Sequence, residues 1–264
     1  MTEIPSLEQV LVTLEGNVAT VTLNRPDQRN PLGATMLRDL ATAFRWCQKE
    51  EAVRVVVLTG AGDRAFCAGA DLGSFGDGMT DLELFRSRDL FVDLFLLMAD
   101  LGKPIVGRIN GHALAGGFGL ACSCDILVAV DTATFGTPEI NVGIWPMMIQ
   151  AVLSRSLPRK VLLEMEMLGD RWTAMRLEAL GVVNHVVTRE QLDATVGDIA
   201  TKLARKSPAA MRLGRDSFYR QQDMDFRAAL HYLHGQFLVV SKTEDSKEGI
   251  KAFFEKREPD FRGR

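Results

Sequence analysis

The stretch of this sequence that is most informative about its fold is residues 110–119, NGHALAGGFG. It follows a predicted buried strand at residues 104–110, and it runs into an apolar segment from Leu120 that predicts the start of a buried helix. Small residues allow another group to approach the backbone closely. The first N–H groups of a helix have no partner inside the helix and carry partial positive charge. The segment therefore predicts a site suited to an oxyanion.

A second glycine-rich segment, FCAGADL at residues 66–72, also follows a buried strand. Apolar alternation and continuous apolar runs predict strands, and helical spacing of apolar residues predicts amphipathic helices. Strands are predicted at residues 18–24, 54–59, 104–110, 126–130 and 182–187, and the early helices at 37–49 and 82–101. Helices dominate from residue 147 onward. Strands that alternate with helices predict an α/β fold, with the helical tail from about residue 207 as a separate region.

Composition excludes several classes of protein. The chain has 264 residues, 47% of them apolar, and a net charge of -3, which disfavours disorder and a general nucleic-acid partner. No apolar run approaches the length of a membrane span, and the first ten residues lack the layout of a secretory signal. The four cysteines form no CxxC pair, so reduced thiols are expected. We therefore expect a cytoplasmic or organelle-matrix protein without a membrane partner.

Two other kinds of site are suggested by short patterns. Residues 60–65, GAGDRA, match the dinucleotide pattern GxGxxA after a strand, but that site requires a helix to begin at the glycines. Here the chain stays rich in glycine and alanine to residue 78, so a nicotinamide oxidoreductase is the less favoured interpretation. His231 and His234 could share a helix face, but no third ligand is evident, and no metal site is predicted.

Taken together, the two glycine-rich segments resemble the crotonase, or enoyl-CoA hydratase/isomerase, superfamily. The motifs that carry the resemblance are LNRP at residues 23–26, RNPL at 29–32, FCAGADL at 66–72, NGHALAGG at 110–117, CDI at 124–126, FGTPE at 135–139 and AFFEKR at 252–257. The resemblance implies an α/β fold in which a crotonase-like spiral of ββα repeats occupies residues 1–206. A C-terminal helical trimerisation region would follow at 207–264, and the assembly would be a homotrimer or a dimer of trimers.

The same resemblance implies a set of site residues. The N–H groups of Ala68 and Gly116 would form the oxyanion hole, and Glu139 would transfer protons. An acyl-CoA thioester would be the substrate, with no metal or redox cofactor. Residues that would contact this substrate are Arg25, Arg29, Ala70, Asp71, Leu72, Gly117 and Trp145, with Phe253 and Lys256 supplied by a neighbouring subunit.

One position departs from the family's hydratases, which usually carry a first glutamate where this chain has Gly119. Hydration needs one group to take a proton from water and another to deliver a proton to carbon. Moving a double bond needs one carboxylate, and Glu139 is retained. We therefore predict isomerisation of 3-enoyl-CoA to 2-enoyl-CoA. Hydration with another acid (Asp77, Asp81 or Glu83), other enolate chemistry and a non-catalytic acyl-CoA-binding protein stay open.

Overall fold

The computed structural model describes residues 2–71 and 80–264, and for residues 81–87 the backbone alone. The strands of this part are β1 (Val10–Glu15), β2 (Val18–Leu23), β3 (Val55–Gly60), β4 (Ala65–Cys67), β5 (Ile105–Ile109), β6 (His112–Leu114), β7 (Ile126–Val130), β8 (Thr134–Gly136), β9 (Arg171–Thr173) and β10 (His185–Val187). The α-helices are α1 (Ala34–Lys49), α2 (Asp81–Ala99), α3 (Gly116–Cys122), α4 (Met147–Leu153), α5 (Arg159–Leu168), α6 (Ala174–Ala179), α7 (Arg189–Ala204), α8 (Pro208–Gln221), α9 (Phe226–Ser241) and α10 (Glu244–Glu255).

The strands form two sheets. The larger has the order β1-β2-β3-β5-β7-β10 and is parallel except for the β1–β2 hairpin. The smaller has the order β4-β6-β8-β9, with β9 antiparallel to β8. Each of the pairs β3–β4, β5–β6 and β7–β8 places its first strand in the larger sheet and its second in the smaller. Because a helix follows each pair, the chain advances as the expected spiral of ββα repeats.

The apolar runs of the sequence account for the buried layer between sheets and helices. All six residues of β3 are buried, as a continuous apolar run predicts for a strand that is covered on both faces. In α1 the buried residues recur at helical spacing, and they include Met36, Leu40 and Phe44. Burial of this apolar surface supplies most of the favourable free energy of folding.

The C-terminal helices α8, α9 and α10 pack on one another. Ser207 caps α8, the first of these three helices. Arg215 of α8 joins this helical region to the rest of the chain. Its Nε lies 2.9 Å from an oxygen of Asp125, and its terminal nitrogens each donate at 2.7 Å to the carbonyl oxygens of Met98 and Ala99. No helix of the described residues has both the length and the apolar character needed to cross a bilayer.

Candidate active site

The two glycine-rich segments lie directly against each other. Gly69 has φ of 101°, and a Cβ atom there would come within 2.6 Å of Ala115 Cβ and 2.9 Å of Leu114 O. A side chain at position 69 is therefore excluded both by backbone conformation and by space. The contact brings the turn after β4 onto the turn before α3, so the expected convergence of the two segments is confirmed.

Two backbone N–H groups at this junction are uncommitted. Leu32 and Ala70 form a parallel β-bridge, but its hydrogen bonds involve the residues on either side of Ala70. Leu32 N–H donates to Gly69 O at 2.8 Å, and Asp71 N–H donates to Leu32 O at 3.3 Å. Within the described part of the chain, neither the Ala70 N–H nor the Gly116 N–H donates to a protein atom. A Cβ atom built on Gly116 would lie 3.7 Å from Ala70 N, so the two donors border the same small space.

Ala68 does not have the role expected of it. Its N–H donates to the carbonyl oxygen of Arg29 at 2.9 Å, so it is not a free donor. Arg29 and Asn30 both have positive φ, 63° and 54°, and this turn of the chain presents the Arg29 carbonyl to the loop after β4. The assignment of the first donor to Ala68 is therefore wrong, and the free N–H at this turn belongs to Ala70, two residues later.

Two buried asparagines hold this loop, and neither was singled out from the sequence. Asn30 Oδ1 accepts from the Arg25 N–H at 2.9 Å. Its Nδ2 donates at 3.1–3.2 Å to the carbonyl oxygens of Ala61, Ala65 and Phe66. Asn110 Oδ1 accepts from the Gly60 N–H at 3.2 Å, and both asparagines are at most 1% exposed. The signal in the sequence was a single asparagine in each of the motifs RNPL at 29–32 and NGHALAGG at 110–117.

The space beside Gly119 is filled by apolar side chains. A Cβ atom at Gly119 would lie 2.3 Å from Ile149 Cγ2 and 3.4 Å from Phe95 Cζ. The position at which the family's hydratases carry their first glutamate therefore has no room for a side chain here. The departure noted in the sequence is thus accompanied by apolar packing that fills the position.

Glu139 lies in a short 3-10 helix, Pro138–Val142, that follows β8 and begins with a proline. Its Oε2 atom is buried and has no hydrogen-bond partner among the described residues. Burial raises the pKa of the Glu139 carboxyl to about 7, and repulsion from Glu166 adds to the increase. A carboxyl group with a pKa near neutrality can both accept and return a proton.

Other residues expected at the site have specific partners. Arg25 forms an ion pair with Asp71 at 3.3 Å. Trp145, half-buried, donates from Nε1 to Gln150 Oε1 at 2.8 Å in the segment after Glu139. Gly117 packs on β4, since a Cβ atom there would lie 2.3 Å from the carbonyl oxygen of Cys67. Contact of these residues with a substrate stays a prediction.

A basic cavity of about 400 Å³ lies beside the turn that contains Ala68. Its lining includes the side chains of Arg29, Arg64, Arg171 and His112. Burial and the two arginines Arg171 and Arg29 lower the pKa of His112, so the imidazole is neutral at pH 7. Three guanidinium groups around one cavity form a surface that attracts anions such as phosphates.

For the remaining predicted residues, contact with a substrate also stays a prediction. Phe253 and Lys256 lie at the end of α10, and Phe253 is 79% exposed. Leu72 and Asp77 lie outside the described residues. For Asp81 and Glu83 the backbone of α2 is described, and their roles stay predictions.

The competing sites suggested by short patterns lack the features they would need. After Gly60 the chain turns and enters β4, whereas a dinucleotide site needs a helix there. Among the described residues, no group of three or more His, Cys, Asp or Glu side chains could hold a metal ion. The four cysteines are free thiols, and burial raises the pKa of Cys67 to about 12, so this thiol stays protonated.

Comparison with known proteins gives consistent matches along nearly the whole chain. A family model described as enoyl-CoA hydratase/isomerase matches residues 13–264. The 2,3-dehydroadipyl-CoA hydratase of Escherichia coli is 32% identical over 98% of this chain and 100% of its own length. The short-chain-enoyl-CoA hydratase of Clostridium acetobutylicum is 33% identical over 95% of this chain and 96% of its own. A crystal structure of an enoyl-CoA hydratase from Mycobacterium smegmatis superposes with a TM-score of 0.92 at 34% identity, covering 96% of this chain and 99% of the other.

Proposed function

The chain belongs to the enoyl-CoA hydratase/isomerase family, whose members act on enoyl-CoA thioesters, and we propose that it stabilises a thioester enolate with the N–H groups of Ala70 and Gly116. The observation that carries the proposal is that these two donors are uncommitted and border one space. A thioester oxygen is weakly basic in the substrate and nearly anionic in the enolate. Two fixed donors therefore stabilise the transition state more than the ground state. Each such donor is worth about 3–4 kcal/mol in other enzymes.

For the reaction itself we propose a shift of the double bond from 3-enoyl-CoA to 2-enoyl-CoA. Glu139 removes a proton from C2, and the electrons pass into a dienolate whose oxygen the two N–H groups hold. Glu139 then returns the proton at C4, and the product is conjugated with the thioester carbonyl. One carboxyl group is enough for both transfers. The packing of Ile149 and Phe95 against Gly119, which leaves no room for a second glutamate there, supports this choice.

Hydration of 2-enoyl-CoA is the second candidate, and the names of the relatives favour it. In this reaction Glu139 would activate the water, and a different acid would protonate C2. Asp77, Asp81 and Glu83 are the candidates for that acid from the sequence. Hydration removes the conjugated double bond, whereas isomerisation creates it, so the two reactions change ultraviolet absorbance in opposite directions.

The experiment that separates the two reactions uses purified full-length protein with 3-hexenoyl-CoA and with crotonyl-CoA. Isomerisation predicts a gain of enoyl-thioester absorbance with the first substrate, and this gain should be lost in Glu139→Gln. Glu164→Gln, an exposed change, is the matched control. If crotonyl-CoA is hydrated while 3-hexenoyl-CoA is untouched, isomerisation is wrong. If neither thioester nor any other acyl-CoA reacts, the proposed chemistry fails as a whole.

For the coenzyme A portion and for assembly, the proposals follow the family resemblance. The basic cavity beside Ala68 and the side chain of Arg29 support binding of the phosphate groups. Exposed phenylalanines on the C-terminal helices support a homotrimer or a dimer of trimers, in which Phe253 and Lys256 would reach the site of a neighbour. A cytoplasmic or organelle-matrix location stays a prediction.

A further inference from the structure

A second carboxyl group, that of Glu166, is fully buried near the proposed site. Glu166 lies in the last turn of α5 and is 0% exposed. Neither of its carboxyl oxygens has a hydrogen-bond partner among the described residues. A buried carboxylate without partners is costly, so a group of this kind calls for a specific explanation.

The end of α5 lies against the 3-10 helix that carries Glu139. Gly169 follows α5 with φ of 68°, and a Cβ atom there would come within 2.8 Å of Asn141 Nδ2 and 2.9 Å of Ile140 Cγ2. Ile140 and Asn141 directly follow Glu139 in the chain. The two elements are therefore in direct contact one turn away from both carboxyl groups.

The unpartnered polar atoms of the described residues concentrate at this contact. Of the seven such buried side-chain atoms, four belong to Thr137, Glu139 and Glu166. The other charged groups on the adjoining elements have different arrangements: Glu164 pairs with Arg176 at 3.6 Å, and Arg171 lines the basic cavity. Within the described residues, neither Glu139 nor Glu166 forms an ion pair with a basic side chain. Glu166 is the charged side chain whose repulsion raises the pKa of Glu139.

We propose that Glu139 and Glu166 titrate as a coupled pair that holds one proton between them near neutral pH. Two neighbouring carboxyl groups without a compensating cation cannot both ionise at low cost. One retained proton leaves the pair with a single negative charge, which lowers the cost of its burial. Glu166 is therefore a positioning residue, because its charge raises the pH at which Glu139 ionises.

The link to catalysis rests on the proposed function, but the proton sharing does not. Direct titration of the carboxyl groups tests the pair even if no substrate is turned over. In ¹³C NMR of protein labelled at glutamate carboxyl carbons, Glu139→Gln and Glu166→Gln assign the two resonances. Glu166→Gln removes the charge that opposes ionisation of Glu139. We expect the Glu139 midpoint to fall by about one pH unit or more in that variant.

Coupling must be reciprocal, which provides a second measurement. In Glu139→Gln the midpoint of Glu166 should fall as well, and this measurement remains if Glu166→Gln does not fold. Glu164→Gln, two residues earlier on the same helix, is the matched control and should move neither midpoint. Unchanged midpoints for both carboxyl groups in the opposite variants would overturn the proposal.

The pH dependence of kcat is a further readout, and a purely structural role of Glu166 would not change it. Glu139 must be ionised to act as a base, so kcat rises with pH through its midpoint. In Glu166→Gln that rising limb should move to lower pH by the same interval as the NMR midpoint, whereas Glu164→Gln should follow the wild type. If the NMR midpoint moves and the rate profile does not, the proton is shared but Glu139 is not the catalytic base. Such a result would reject the proposed function and keep the pair.

Discussion

Ile149 Cγ2 occupies the position that a side chain on Gly119 would need, since a Cβ atom there would approach it to 2.3 Å. The two residues come from different helices, α3 and α4, that pack on each other. A larger residue at position 119 therefore requires a smaller residue at position 149.

A glutamate placed at position 119 should therefore fail to restore a hydratase site by itself. We expect Gly119→Glu to lower the free energy of unfolding by about 3 kcal/mol or more, because it overpacks the core and buries a carboxyl group. Combining it with Ile149→Ala should recover part of this loss. Urea unfolding measures both effects. Gly214→Glu, at an exposed glycine of α8 with nothing within 4 Å of its Cβ position, should cost no stability.

A methyl group at Gly116 should block the proposed oxyanion site. Its Cβ would lie 3.3 Å from both Leu32 Cδ1 and Phe91 Cε1 and 3.7 Å from Ala70 N, in front of the two donors. We expect kcat/KM to fall about 100-fold or more in Gly116→Ala, as for loss of an oxyanion donor, with a smaller change in stability. Gly214→Ala is the control. An unchanged kcat/KM would place the thioester oxygen elsewhere.

The pKa of Glu139 should make stability depend on pH. In the folded chain the carboxyl pKa is raised from 4.5 to about 7, so the folded state holds a proton that the unfolded state loses between these values. Stability should accordingly decrease as pH rises from about 4.5 to about 7. Glu139→Gln removes this effect and should be more stable than the wild type at pH 8, by up to about 3 kcal/mol, and equal to it near pH 4. Thermal unfolding between pH 4 and pH 8 measures this effect. A stability difference between Glu139→Gln and the wild type that does not vary with pH would show that the pKa of Glu139 is not raised.

Asn30 should be more important for stability than an ordinary polar residue. It has φ of 54° and makes four hydrogen bonds with backbone groups of the loop. Asn30→Ala leaves these groups unpaired and places a less tolerant residue at positive φ, so we expect a loss of about 3–5 kcal/mol. Asn17→Ala, which removes one exposed hydrogen bond, should cost about 1 kcal/mol. Similar losses in both variants would show that the loop does not depend on Asn30.

The exposed apolar surface of the C-terminal helices should be the contact between chains. Phe226, Phe237, Phe253 and Phe254 are 72–80% exposed in the single chain, more than a monomer ordinarily leaves open. Light scattering should give the mass of three or six chains, and Phe237→Glu should lower it. Leu11→Glu, at an exposed leucine of β1, should leave the mass unchanged. A monomeric wild type would contradict the predicted assembly.

The long elements were predictable from the sequence because their patterns are long. The predicted helices at 37–49 and 82–101 correspond to α1 and α2 to within three residues at each end, and the predicted strand at 126–130 has the bounds of β7. The four strands of the smaller sheet have three residues each, which is too short for a period, and β4 lay inside a predicted loop. The C-terminal region was separable because its helices follow one another without strands.

The sequence prediction chose Ala68 as the first donor, two residues before the N–H that has no acceptor among the described residues. The meeting of the two glycine-rich turns followed from the motifs. The choice between Ala68 and Ala70 depends on which N–H donates to the Arg29 carbonyl oxygen. The position of that oxygen is set by the conformation of a turn that is distant in the sequence. Glu166 was missed because a single glutamate on a predicted helix resembles a solvent-exposed one. The filling of the Gly119 position by Ile149 likewise depends on packing between helices.

Arg215 connects the C-terminal helix α8 to the end of α2. Its guanidinium donates hydrogen bonds to the last two carbonyl groups of α2. Phe91, two turns earlier in the same helix, lies beside Gly116. A displacement of the C-terminal helices should therefore shift α2 and, with it, the wall beside Gly116. Chains that come apart should lose turnover as well as partners, even where every residue named in the chemistry is intact.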